Sequence, residues 1–192
     1  MPEPDLFVFG LPANFQGYYV NYSKELERHR NTFTWAILKA HTRNRAGTVR
    51  LRSADPRDVP EINFRYFDEG SDTERADLEA MVSGVRLVRS LLGNVRLKEA
   101  ELVPGPEVRT DDEIRSFVRD NAWGHHASCS CKLGRPDDPT AVLDSSFRVL
   151  GTKNLRVVDA SVFPRIPGFF VVTPVFMISE KASDVILADA AQ

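Results

Sequence analysis

Apolar residues along this chain change their spacing several times, and each change predicts an element. Residues 6–9 form a short apolar run that reads as a strand, and residues 12–17 read as a turn. Residues 32–40 are rich in β-formers (Thr32, Phe33, Thr34, Trp35, Ile37), which predicts a second strand. Thr48-Val49-Arg50-Leu51-Arg52 alternates strictly. Val49 and Leu51 are therefore expected to face a core, while Arg50 and Arg52, with Lys39, are expected on a solvated sheet face. Pro56 and Pro60 mark a turn-rich loop, and residues 62–67 give a further brief strand. Leu78, Met81, Val82, Val85, Val88 and Leu92 then recur at i, i+3, i+4, i+7, which predicts a helix over 72–92 with Glu74, Arg75, Glu79 and Arg89 in water. Gly93-Asn94 ends it, and residues 95–103 read as extended up to Pro104-Gly105-Pro106. Thr110 and Glu113 have the spacing of a capping box and open a helix that buries Ile114, Phe117 and Val118. Residues 155–158 form a last β-run. Thr173 is expected to cap, and Pro174 to start, a final helix to about residue 190 that buries Ile178, Ala182, Val185 and Ile186. Strands and helices are interspersed without a βαβ rhythm. The predicted class is α+β, an antiparallel sheet flanked by helices.

Composition narrows the function classes. The 192 residues suffice for one large domain or a domain with an appendage. A net charge of −2 with scattered arginines gives no electrostatic case for nucleic acid or an anionic membrane surface. No run approaches the roughly 20 apolar residues that span a bilayer. Met1-Pro2-Glu3-Pro4-Asp5 lacks the basic region of a signal peptide, so a cytoplasmic location is expected. The two cysteines lie in a C-x-C spacing poorly suited to a mutual disulfide and are expected to be reduced.

Candidate chemistry concentrates in His125-His126-Ala127-Ser128-Cys129-Ser130-Cys131, which holds both cysteines and two of the four histidines. Imidazole and thiol are the side chains best suited to proton transfer, nucleophilic attack or metal ligation near neutral pH. A structural zinc site usually joins two separated pairs of ligands, and no second pair follows here, so no metal is expected. A thiol nucleophile is permitted by composition, but cysteines are most often small packing residues. The remaining reading is a histidine general base in a site completed by a cofactor.

The tract resembles, in order and spacing, the H-P-x-G-T-C-x-M-G segment of the glucose–methanol–choline (GMC) family of flavin oxidoreductases. Counted back from Gly134, His126 falls on the catalytic histidine, Cys131 on the cysteine and Leu133 on the methionine. Val142 to Gly151 is similar to the family's V-V-D-x-x-x-R-V-x-G, residues 154–161 to its G-L-R-V-V-D-A-S, and residues 180–186 to its E-K-A-A-D-x-I. Residues 47–56 resemble the opening of the family's C-terminal substrate domain.

The resemblance implies a substrate-binding domain over 1–150 and, over 151–192, a strand–helix segment that would complete an FAD-binding domain. It implies FAD as cofactor, an alcohol substrate and His126 as the base. Asp159 and Ala160 are expected beside the FAD ribityl and pyrophosphate, and Phe170, Val171, Val172 and Thr173 beside the flavin ring. The family's Rossmann-type G-x-G-x-x-G does not occur in these residues, so an FAD-binding domain or chain is the implied partner. The family also places a second His or Asn ten residues before the position of Glu180, which here is Phe170. Three outcomes stay open: one histidine suffices, His125 supplies the second imidazole, or the site is inactive. His125 is otherwise a structural, hydrogen-bonded histidine. Phe169-Phe170 points to an apolar or bulky alcohol. The alternative function is a non-catalytic interaction subunit or a truncated homologue lacking flavin.

Overall fold

Strands β1 (Leu6–Leu11) and β2 (Thr34–Lys39) pair antiparallel, with Leu6 opposite Lys39 and Leu11 opposite Thr34. This computed structural model describes residues 4–29, 31–67, 70–93, 95 and 100–191. A short helix α1 (Tyr22–Arg28), which no apolar spacing announced, lies in the connection. Strands β3 (Thr48–Arg50) and β4 (Glu61–Asn63) form a second antiparallel ladder in which Val49 faces Ile62. The class is α+β as expected, but the strands among the described residues make two small sheets rather than one. That change explains an error of orientation. Val49 and Leu51, expected to face a core, are 70% and 86% exposed. A two-stranded ribbon has no second layer of its own to bury the apolar face that alternation defines.

The chain separates into two compact units, Met1–Trp123 and Gly124–Gln192. In the first, α2 (Ala76–Gly93) lies on β1 and β2, and α3 (Asp111–Asn121) packs against α2. Leu78 and Val82 of α2 meet Ile114 and Val118 of α3 in a dry core, with Met81, Val85 and Phe117 around it. The periodicity of both helices placed these residues correctly. Gly84 allows α2 to approach the sheet: a Cβ there would stand 2.8 Å from Ile37 Cγ2 and 3.2 Å from Leu6 Cδ1. The Thr110–Glu113 capping box forms as predicted. Helix α2 starts four residues later than the expected start at 72, because Asp72 stays outside it as a cap, accepting from the Ala76 and Asp77 N–H groups at 3.1 and 2.8 Å. Asn94 and residues 96–99 of the expected extended run lie outside the described residues.

One polar group sits in this core region. Asp77 is 1% exposed, and its carboxylate accepts from the Arg43 N–H at 3.0 and 2.9 Å and from the Asn44 N–H at 2.9 Å. The Lys39 ammonium lies 3.6 Å from Asp77 and also pairs with Asp5. Lys39 was expected in water; it is largely buried because this carboxylate requires a cation beside it. Glu79 stays on the solvated face with 45% of its side chain exposed, whereas Arg89 is largely withdrawn from water. Glu79 takes a two-pronged contact from Arg115 at 2.6 and 3.0 Å, which holds its carboxyl below the usual range, and Arg89 pairs with Glu101.

The second unit has little regular structure before its last helix. Leu143, Phe147, Val162 and Ala182 form its core, flanked by Cys131, Leu133, Val142 and Ile178. Residues 155–158 contribute a single bridge, Arg148 to Arg156, rather than a strand. Asp144 folds the chain back sharply, its carboxylate accepting from the Ser146 and Arg148 N–H groups at 2.8 and 2.9 Å. Helix α4 (Val172–Ala190) lays Ile178 and Ala182 on the core. Its cap is Val171, with no side-chain hydrogen bond, so Thr173 is not the cap and Pro174 is the third helical residue. Proline is tolerated there because the N–H groups of the first turn have no intrahelical acceptor. The buried face is narrower than expected: Ile186 is 40% exposed. Arg148 and Arg156 both donate to Asp189 near the end of α4.

Asp77→Ala strips the acceptor from the Arg43 and Asn44 N–H groups and leaves the largely buried Lys39 ammonium with Asp5 as its partner. It should lower stability by about 3–5 kcal/mol, the usual cost of breaking a buried charged network. Urea unfolding followed by tryptophan fluorescence measures this, and an unchanged midpoint would refute the role given to Asp77.

Candidate active site

The histidine/cysteine tract is positioned by its backbone. The N–H groups of Cys129, Cys131 and Leu133 donate in turn to the carbonyls of Ala160, Ser161 and Val162, at 3.3, 3.0 and 2.8 Å. The Leu133 step is anchored by Val162, which has no exposed surface. Cys129 adopts a left-handed backbone with φ of 71°, so the chain turns where the ladder begins. The two stretches that the sequence marked separately, 125–131 and 159–161, are thereby brought side by side. Neither thiol is in a disulfide; Cys131 packs on the core and the Cys129 Sγ lies 3.4 Å from the Ser128 Oγ. Among the described residues no three His, Cys, Asp or Glu side chains gather as a metal-ligand set.

Residues 122–129 form no strand. The rule that neighbouring side chains point to opposite faces therefore does not apply to His125 and His126. Their rings lie together, centroids 4.1 Å apart and tilted by 58°. Partial burial and the adjoining His126 hold the His125 imidazole below its ordinary value, which favours its neutral form. The Phe170 ring stands 6.1 Å from that of His126. Phe170 immediately precedes Val171, so the base candidate sits beside the chain as it enters α4. Among the described residues no side chain caps that helix, and the Val172 and Thr173 N–H groups stand at its positive end.

Asp159 is committed locally. Its carboxylate accepts from the Ser161 N–H at 2.7 Å and from the Ser161 hydroxyl, capping the single turn Ala160–Val162. That turn presents the Ala160 and Ser161 carbonyls to the tract. Sequence reasoning named Asp159 and Ala160 but missed Ser161 and Val162, because backbone acceptors leave no side-chain pattern. The one available signal was the Asp-x-Ser spacing of a local turn.

The family model described as GMC oxidoreductase matches residues 42–179, which include the tract, Asp159 and Phe170. The chain belongs to the GMC oxidoreductase family. Among GMC relatives, oxygen-dependent choline dehydrogenase of Vibrio vulnificus is 45% identical over 145 residues, covering 73% of this chain and 25% of that protein. Mitochondrial choline dehydrogenase of Homo sapiens is 43% identical over 141 residues, covering 73% of this chain and 23% of that protein. Among solved structures, formate oxidase superposes with a TM-score of 0.72 and 31% identity, over 82% of this chain and 27% of that one. A fungal aryl-alcohol oxidase superposes with a TM-score of 0.62 and 27% identity, over 85% of this chain and 26% of that one. The chain spans about a quarter of the length of the curated GMC relatives it matches.

The imidazole pair gives a direct test of the geometry. The His125 midpoint should fall below the ordinary 6.5, and His126→Ala should raise it without restoring that value, since burial remains. The depressed value means the fold favours neutral His125. That contribution to stability is complete above the unfolded value and is lost as pH falls through the folded one. NMR titration of the imidazoles checks this, and a His125 midpoint at or above the ordinary value would contradict it.

Proposed function

We propose that this chain is the C-terminal part of an FAD-dependent alcohol oxidase or dehydrogenase, with residues 1–150 on the substrate side and 151–192 contributing to the flavin side. The observation that carries the proposal is the imidazole of His126, set beside Phe170 and the uncapped start of α4. That start fits a flavin ring. Val172 is exposed and apolar, and the first N–H groups of α4 can meet the negative charge that collects on the ring as it is reduced. When bound, FAD supplies the two-electron acceptor. His126 takes the hydroxyl proton on an imidazole nitrogen while the neighbouring C–H bond gives up its hydride, and the C–O bond becomes a carbonyl. Phe170 and Val172 expose apolar surface at the start of α4, which with Phe169 suits an apolar or bulky alcohol.

Helix α4 supports a further covering layer. Ile178 and Ala182 face the core, yet Phe176, Met177 and Leu187 are about two-thirds exposed on its other sides. Large apolar side chains exposed together on one helix mark a surface that a further layer covers. No Gly-x-Gly occurs in these residues, so the pyrophosphate-binding part of an FAD domain comes from the rest of the relatives' length. The second reading, a non-catalytic interaction subunit, is favoured by Phe170, which can neither take a proton nor donate a hydrogen bond.

The visible absorption of the native protein separates the two readings: an oxidised flavin spectrum, bleached on adding an alcohol, is expected of the enzyme. In that enzyme His126→Ala should lower turnover by about 10²–10⁴ with flavin content unchanged. Unaltered flavin reduction by the variant would remove His126 from the reaction.

A further inference from the structure

We propose that His125 completes the site, donating a hydrogen bond to the alcohol oxygen while His126 removes that oxygen's proton. The proposal rests on the oxidoreductase reading above and deepens it by naming the second group that handles the oxygen. An alcohol oxygen gains negative charge as its proton leaves, and the reaction gains most from a donor already aimed at it. Phe170, the ring that meets His126 at 6.1 Å, carries no nitrogen or oxygen and cannot serve. His125 can. With ring centroids 4.1 Å apart and the planes tilted by 58°, the two imidazoles are close enough for one alcohol oxygen to be shared between them. The irregular backbone over 122–129 is what allows two consecutive side chains to lie on one side.

The proton count is consistent. The hydroxyl proton would go to His126, the carbinol C–H bond would give up its hydride with bound FAD as the two-electron acceptor, and the C–O bond would become C=O. His125 keeps its own proton throughout and only holds the oxygen. Its lowered affinity for a second proton supports this role, since a neutral ring beside His126 does not oppose the charge that His126 acquires. Phe170 then follows from the arrangement: with the donor supplied from His125, the position entering α4 is released to shape an apolar pocket.

The test uses the complete flavin-containing enzyme, with benzyl alcohol and choline as alcohol probes. His125→Ala should lower kcat by about 10²-fold at unchanged flavin content, the usual loss on removing one such donor. Adding Phe170→His to His125→Ala should restore much of that loss by returning a donor from the opposite side. Unchanged turnover in His125→Ala, with His126→Ala crippled, overturns this proposal alone. Unchanged turnover in both variants removes both histidines from the reaction; a complete protein whose flavin neither alcohol bleaches overturns the oxidoreductase reading itself. A second measurement needs no variant. 2-Phenyl-2-propanol has no hydrogen on its carbinol carbon and cannot be oxidised. Its binding should shift the imidazole nitrogen resonances of both His125 and His126; a shift at His126 alone overturns the role of His125.

Discussion

The site depends on a short backbone ladder, the three hydrogen bonds from Cys129, Cys131 and Leu133 to Ala160, Ser161 and Val162. These residues lie about thirty positions apart in sequence, and little regular secondary structure links them. What holds the ladder is packing beneath it. Val162 and Leu143 have no exposed surface, Phe147 closes the side, and Ala182 brings in α4. Each net hydrogen bond in such a ladder is worth about 1 kcal/mol, so its register is set mainly by the apolar side chains that fit only one way. Moving Leu133 by one residue would carry Cys131 off the core and His126 away from Phe170.

The first unit solves a different problem with a different interaction. Helices α2 and α3 and the β1–β2 ladder need a fixed relation between the end of β2 and the start of α2. Asp77 supplies it, binding the N–H groups of Arg43 and Asn44 from within α2, with Lys39 of β2 as counter-charge. A buried carboxylate is a costly anchor and a directional one. The apolar faces of α2 and α3 would tolerate some sliding; two backbone N–H groups aimed at one carboxylate would not.

What the sequence made legible follows from this division. Helical periodicity in α2 and α3 read directly onto the first core, since Leu78, Val82, Ile114 and Val118 owe their burial to local spacing. Val49 and Leu51 were misread because alternation names a face and not what covers it. Lys39 was misread because a charge in a β-run is ordinarily in water, and its buried partner Asp77 sits on another element far along the chain. In the site, the resemblance to the family marked His126, Phe170 and Asp159 as the positions to watch. It did not show that Asp159 spends its carboxylate on Ser161, nor that His125 and His126 lie ring to ring. Both facts depend on the local path of irregular backbone, which carries no period in sequence.

The His125–His126 pair is also where the two outward signs of this chain meet. A phenylalanine at position 170 argues for a lost reaction when considered alone, because a hydrogen-bonding group is expected there. The pair changes the weight of that observation. A histidine kept only for packing has no need of a second imidazole 4.1 Å away, since two rings that can each take a proton destabilise one another when both are charged. Such a pair persists at least cost when one ring stays neutral, and a neutral ring beside a proton acceptor can hold the oxygen whose proton the acceptor takes. On the proposal above, the phenylalanine at 170 and the doubled histidine at 125 would be one change, with the donor supplied from the tract rather than from the start of α4.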